Sequence, residues 1–347
     1  MVYADNSASQ KPLQCALEAF MNAPYGNPDS THSVGRTARK SLENSRRIIA
    51  ECIGAESEEI YFCSGGTEAN NIVIQSMAKE CRVHSWKTSH VSARPEGIRK
   101  VPKEPVAVSM PYINNETGVI SGREYGTRDF PYTKYVHMDA VAAVGQYPVN
   151  VKKLGCDYLT AAGHKFGAPI GIGFIYAKKD VPLFPLFFGG EQESFVRPGT
   201  PSVALAAAMA AALKYRTDTM EDAQRNMARV NGFISQTCSE NIRFFHNNAT
   251  DFGWRTAPHI MSVRIEGIPS VNLLPLLDAQ EVYCSAGSAC SAGSRSPSRV
   301  LMEEGLSATE ALETIRISIS PETTIEQAKE LCLALRSAAK QYRTNRE

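Results

Sequence analysis

The amino-acid sequence predicts an α/β protein: a large domain with a mainly parallel, mixed sheet flanked by helices, and a smaller α+β domain. Three observations carry that expectation. Short apolar runs alternate with helix-like segments, the pattern of strands joined by crossover helices. A chain of 347 residues suits one large domain plus a lesser one rather than a single small core. Toward the carboxyl end, alternating strand patterns sit between long helices, with no internal repeat and no low-complexity linker. The expected boundaries put 12–235 in the large domain, and 1–11 with 236–347 in the smaller one.

In chain order, Ile60-Tyr61-Phe62-Cys63 reads as a short buried strand running into Ser64-Gly65-Gly66-Thr67. Asn70 through Met77 then reads as the start of a helix. Val106 to Met110, Tyr135 to Met138 and Gly173 to Tyr176 are further strand candidates. Val203 to Tyr215 is rich in alanine, which favours helix and permits close helix packing. From Met220 to Asn241 a longer, more polar helix is expected to bridge the domains. Ile260 to Ile265 alternates like a half-exposed strand, and Ile315 to Ile319 does so again. Thr323-Thr324 before Ile325-Glu326 supplies the opening signals of a closing helix.

Composition narrows the function classes. A net charge of +1 gives no electrostatic reason to expect direct nucleic-acid or anionic-membrane binding. No apolar run reaches the roughly 20 residues of a bilayer span. Met1 to Asn6 lacks the basic flank and apolar run of a signal peptide. The nine cysteines are scattered without a Cys-x-x-Cys pair, which argues against a disulfide framework and a structural zinc site. A reducing, cytoplasmic setting and no metal are therefore expected.

Several residues have the types that carry chemistry. Gly163 after Ala161-Ala162 allows close backbone approach to a ligand, and Lys165 offers an amine to a carbonyl. An ordinary surface lysine after a turn is the alternative. Asp139 closes a predicted strand, where open α/β sheets bind ligands, although it could equally cap the following element. The Gly65-Gly66-Thr67 turn into a helix presents backbone N–H groups to an anion, or is simply a tight turn. His90 and His164 are candidates that could also be satisfied surface or core histidines. Cys290 lies among small residues, Ser285 to Gly293, with no apolar periodicity, so an accessible, reactive thiol is one reading. Arg316 is a charge inside an apolar strand pattern. It requires an anion, either a substrate carboxylate or a structural ion pair.

Together these residues resemble a family. Lys165 within Ala-Gly-His-Lys, Asp139 within His-Met-Asp-Ala, Cys290 within Gly-Ser-Ala-Cys and Arg316 within Ile-Arg-Ile-Ser resemble the cysteine desulfurases of the NifS/IscS type, fold type I enzymes of pyridoxal 5'-phosphate. Tyr3 to Ala8, Tyr25 to Pro28, Ser64 to Glu68, Asn114 to Gly118 and Arg197 to Thr200 extend the resemblance, in order, to about residue 335. The resemblance implies that Lys165 forms the Schiff base and that Asp139 partners the pyridine nitrogen. His90 would stack on the ring. Gly66, Thr67 and His164 would hold the phosphate, with Thr200 reaching it across a homodimer interface. Asn115 and Arg316 would bind the carboxylate of L-cysteine. Cys290 would take the sulfur as a persulfide and pass it to an acceptor protein.

The chain departs from that pattern. Where a glutamine usually contacts the cofactor phenolate it has Ala142, and where a serine or threonine usually binds phosphate it has Ala162. Each missing bond would cost about 0.5–1.5 kcal/mol, so weaker cofactor retention is expected. Relative to that pattern the segment between His90 and Asn114 and the carboxyl tail read as short, so the expected acceptor belongs to an iron–sulfur, a tRNA-thiolation or a DNA sulfur-modification pathway. Alternatives are a selenocysteine lyase, another fold type I enzyme, or a non-catalytic scaffold or persulfide relay. Retention of Lys165, Asp139, His90, Arg316 and Cys290 together speaks for the desulfurase.

Overall fold

The computed structural model describes residues 1–96, 104–121, 133–238, 242–245, 256–287 and 296–344. They form two compact units, Gln10–Ile113 with Ser121–Met220, and Met1–Ser9 with Asn114–Ile120 and Glu221–Glu347. Two differences from the expected division stand out. The long helix after residue 220 groups with the smaller unit, and so does a short excursion from the middle of the chain, Asn114–Ile120.

Strand β1 (Val2–Tyr3) belongs to the smaller unit. The larger unit follows with α1 (Gln14–Met21), α2 (Ser33–Ile53), β2 (Ile60–Cys63), α3 (Gly66–Glu80) and β3 (Arg82–Ser85). After these come β4 (Val106–Pro111), β5 (Thr133–Asp139), α4 (Val151–Leu154), β6 (Tyr158–Ala162), β7 (Gly173–Ala177) and α5 (Val203–Asp218). The described strands form one sheet in the order β2-β7-β6-β5-β4-β3. β3 through β6 are mutually parallel, whereas β7 runs antiparallel to both β6 and β2. Hence β2 points the same way as β3 to β6, and all five end at one edge of the sheet. That edge is where a parallel sheet exposes ligand sites.

The strands β6 and β7 are buried at every position, as expected of sheet covered on both faces. Their core partners include Ile72, Val73 and Met77 of α3. In α5 the alanines at 206, 208, 210 and 212 are buried, so the helix packs closely against its neighbours α1 and α2. One expected boundary moves: α3 begins at Gly66, four residues before Asn70. The glycine turn is therefore part of the helix start.

In the smaller unit, α6 (Met220–Thr237) leads into β8 (Ile242–Phe245), β9 (Ile260–Ile265), α7 (Ser270–Asp278) and β10 (Val282–Tyr283). Next come α8 (Arg299–Glu303), α9 (Ala308–Leu312), β11 (Thr314–Ser318) and α10 (Ile325–Thr344). β11, β9 and β8 make an antiparallel sheet, and β1 pairs in parallel with β10. Met227, Val230 and Ile234 of α6 share a core with Val263, Ile315, Ile317, Leu331 and Leu335. The half-exposed reading of β9 and β11 is corrected here. β9 is the central strand, and only Arg264 of its residues escapes full burial, while β11 is buried throughout. No described helix is long and apolar enough to cross a membrane.

Candidate active site

The site of the larger unit is assembled at the carboxyl edge of its sheet. β2 ends at Cys63, and Gly65, with φ 155°, makes a turn that most side chains would strain. Gly65 is also the N-cap of α3 and brings no capping side chain, so the first-turn N–H groups are available to an anion. A Cβ on Gly66 would lie 2.7 Å from Val141 Cγ2 and 3.6 Å from the Ala162 Cβ. Only a glycine lets the backbone come this close. Thr67 occupies the same first turn and is exposed.

Asp139 is the last residue of β5 and is 6% exposed. Its Oδ1 accepts from Val141 N at 3.1 Å, and its Oδ2 accepts from Asn70 Nδ2 at 2.9 Å. Both donors are neutral, and no cationic side chain pairs with it among the described residues. A buried carboxylate in that condition calls for a cation in the adjoining space. Asn70 also donates to Ser92 Oγ at 2.9 Å, and Ser92 Oγ lies 2.7 Å from His90 Nδ1. His90 and Asp139 are thus joined through one amide.

Lys165 closes a single 3-10 turn, Gly163–Lys165, directly after β6. β6 neighbours β5 with Thr160 opposite Asp139, so Lys165 and Asp139 leave adjacent strands at the same edge. Lys165 and His164 are both half-buried, and the Lys165 carbonyl accepts from Gln146 Nε2 at 3.3 Å. Burial, followed by the Lys165 charge, pushes the His164 imidazole down to about 4, so it is neutral at pH 7. Thr200 is exposed in the segment before α5. That segment is tied to the helix start, because Arg197 Nε donates to Glu68 at 3.0 Å. Glu68 also accepts from Ser64 N at 2.7 Å.

The smaller unit holds the other candidates. Arg316 is 2% exposed at the middle of β11. Its Nη2 donates to Asp5 Oδ1 at 2.8 Å and to Ser285 Oγ at 2.9 Å, and its Nη1 to the Asn115 carbonyl at 2.9 Å. Its Nε is buried without a hydrogen-bond partner among the described residues. Asn115 meets Arg316 because the 114–120 excursion belongs to this unit. It does so through its backbone carbonyl. Glu116 accepts from Ser298 Oγ at 2.5 Å. Cys290 lies outside the described residues. Among the described thiols, burial pushes Cys63, Cys156 and Cys284 up to about 12, which makes them protonated and unreactive at neutral pH.

Sequence reasoning left Asn70, Ser92, Thr160, His137 and Asp5 without roles. His137 and Asp139 stand two apart on one strand, hence on one face, and that spacing was the available signal. Asp5 carried no local signal, because its partner is 311 residues away.

A glycine turn opening a helix, a buried carboxylate with no cationic partner among the described residues, and a lysine on the neighbouring strand end fit pyridoxal 5'-phosphate in three respects: phosphate, ring nitrogen and aldehyde. They define the layout of a fold type I pyridoxal phosphate-dependent enzyme. The family model for aminotransferase class V matches residues 2–94 and 83–331, two stretches that overlap at 83–94. The chain belongs to that family. It is 33% identical to a putative cysteine desulfurase IscS 1 of Bacillus subtilis over 94% of this chain and 96% of the relative. An IscS-like cysteine desulfurase of Mycobacterium tuberculosis is 30% identical, covering 95% of each chain. Among solved structures, a NifS-like protein from Rickettsia africae superposes with a TM-score of 0.87 at 26% identity, covering 98% of this chain and 99% of that one.

Proposed function

We propose that this protein is a pyridoxal phosphate-dependent cysteine desulfurase, converting L-cysteine to L-alanine and leaving the sulfur as a persulfide on Cys290. The observation that carries the reading is the placement of Asp139, a buried carboxylate with no cationic partner among the described residues, at the strand end next to that of Lys165. The named relatives agree with it.

Pyridoxal phosphate, when bound, supplies an electron sink that weakens bonds at the Cα of an amino acid. This chain's residues supply the rest. The α3 N–H groups at Gly66 and Thr67, with His164, hold the phosphate, and Thr200 contributes from a second copy in a homodimer. Asp139 keeps a proton on the ring nitrogen, because an adjacent carboxylate favours the cation. His90 would contact the bound ring. Arg316, with Nε unfilled and Asn115 beside it, receives the substrate carboxylate. Lys165, as a free amine, takes the Cα proton. The Cys290 thiolate then attacks the substrate sulfur, so an S–S bond forms as the S–Cβ bond breaks. The released electron pair returns to Cβ, which is protonated to give alanine. Atoms balance as cysteine plus thiol giving alanine plus persulfide.

A homodimer, a protein acceptor for the sulfur and a cytoplasmic location belong to the same proposal. The described cysteines are all unpaired, which suits a reducing compartment. To test the function, cysteine is added to cofactor-saturated protein with a thiol reductant. Alanine and sulfide are expected in equal amounts, and absence of both overturns the reading.

A further inference from the structure

We infer that Asn70 is a positioning residue that sets Asp139 and His90 together, one amide orienting both the partner of the ring nitrogen and the residue that would contact the ring. This rests on the reading of Asp139 and His90 as cofactor contacts. Asn70 is 1% exposed near the start of α3, in a helix that offers its amide no solvent.

Its hydrogen bonds run in one direction only. The Asp139 carboxylate can accept but not donate, so the Asn70 Nδ2 group must face it, at 2.9 Å. The second N–H on that nitrogen then donates to Ser92 Oγ, also at 2.9 Å. With a lone pair so engaged, the Ser92 hydroxyl directs its proton to His90 Nδ1, 2.7 Å away. Ser92 N–H converges on the same nitrogen at 3.2 Å. Nδ1 is therefore an acceptor, and the proton of neutral His90 resides on Nε2.

The other end of the amide confirms the orientation. Asn70 Oδ1 accepts from Thr160 Oγ1 at 2.6 Å, and Thr160 Oγ1 lies 3.1 Å from His137 Nε2. Having spent its proton on Asn70, Thr160 must accept there, so His137 carries Nε2–H. Ser109 Oγ donates to the Ala93 carbonyl at 3.1 Å and lies 2.9 Å from His137 Nδ1. Burial pushes the His137 imidazole down to about 4, so it is neutral at pH 7. Reversing the amide would aim its oxygen at the carboxylate, which has no proton to give. Thr160, His137 and Ser109, each 0% exposed, form a fixed wall behind Asn70.

The test uses Asn70→Leu, which removes all three bonds, and Ser92→Ala, which cuts only the branch to His90. The first readout is the ¹⁵N spectrum of imidazole-labelled apoprotein, with His90 assigned by His90→Gln. The second is the dissociation constant for pyridoxal phosphate. Wild-type His90 should show the Nε2–H tautomer. Ser92→Ala should shift its populations and leave cofactor affinity within about threefold, and Asn70→Leu should do both, weakening affinity at least about tenfold. The inference is overturned if Asn70→Leu has the wild-type ¹⁵N pattern and affinity, or if its affinity matches that of Ser92→Ala. Should Asn70→Leu fail to fold, Asn70→Asp retains the shape, and unchanged His90 signals in it would equally overturn the inference. Failure of wild-type protein to bind the cofactor would instead sink the functional reading, separately from the ¹⁵N result.

Discussion

Replacing Arg316 by lysine separates the substrate role of this residue from a purely structural one. The guanidinium makes three bonds, to Asp5, Ser285 and Asn115, and holds Nε in reserve. A lysine ammonium keeps the charge and can stay with Asp5, 2.8 Å from the present Nη2, but it lacks the planar fork. One charge-assisted bond to a substrate carboxylate is then lost, at about 1.5–3 kcal/mol. That corresponds to a rise of about 10- to 150-fold in the KM for cysteine. Because Asp5 stays paired, the thermal midpoint should fall by only a few degrees, whereas Arg316→Ala would strand the carboxylate at about 3–5 kcal/mol. Steady-state alanine formation with thermal denaturation of the same samples reads both effects. A midpoint that falls while KM stays at the wild-type value would refute substrate binding and leave Arg316 as a structural ion pair.

Other perturbations probe the larger unit. Gly66→Ala sets a methyl 2.7 Å from Val141 Cγ2, and β-branched Val141 cannot swing aside, so pyridoxal phosphate affinity should drop by about 1–3 kcal/mol. Val141→Ala in the same chain should restore it, and wild-type affinity of the single variant would contradict the cradle. Ala162→Ser should tighten cofactor binding by about 0.5–1.5 kcal/mol, measured by equilibrium dialysis; an unchanged constant would show that residue 162 is out of reach of the phosphate. His137 and His164, both held near 4, bind protons more readily when unfolded, so stability is full above pH 6.5 and declines toward pH 4. The shift of His137 alone corresponds to about 3 kcal/mol. Urea midpoints of the apoprotein at pH 7 and pH 4.5 check it, and equal midpoints would show that the fold accepts a charged His137.

The sheet was legible because its strands are apolar runs bounded by turn residues, and Ile60–Cys63 and Gly173–Ala177 announce themselves locally. Lys165, Asp139 and the glycine turn were legible for a similar reason: each follows a strand, and its type suits a ligand edge. The start of α3 was misjudged because Gly66 and Thr67 are poor helix formers, yet their unpaired N–H groups are what a phosphate site uses. Long-range polar pairing was not legible. Nothing near Asn70 reveals that Asp139, 69 residues on, needs its amide, and nothing near Arg316 points to Asp5. The 114–120 excursion was hidden too, since its residues read as a loop whichever unit they pack with.

Mass spectrometry of Cys290 tests the central claim most directly. Cofactor-loaded protein is treated with L-cysteine without reductant, and the peptide containing Cys290 is weighed while alanine is counted in the same sample. The account predicts that this peptide gains the mass of one sulfur atom, removable by a thiol, with one alanine formed for each sulfur gained. Alanine without sulfur on Cys290, or neither product from fully loaded protein, would contradict it.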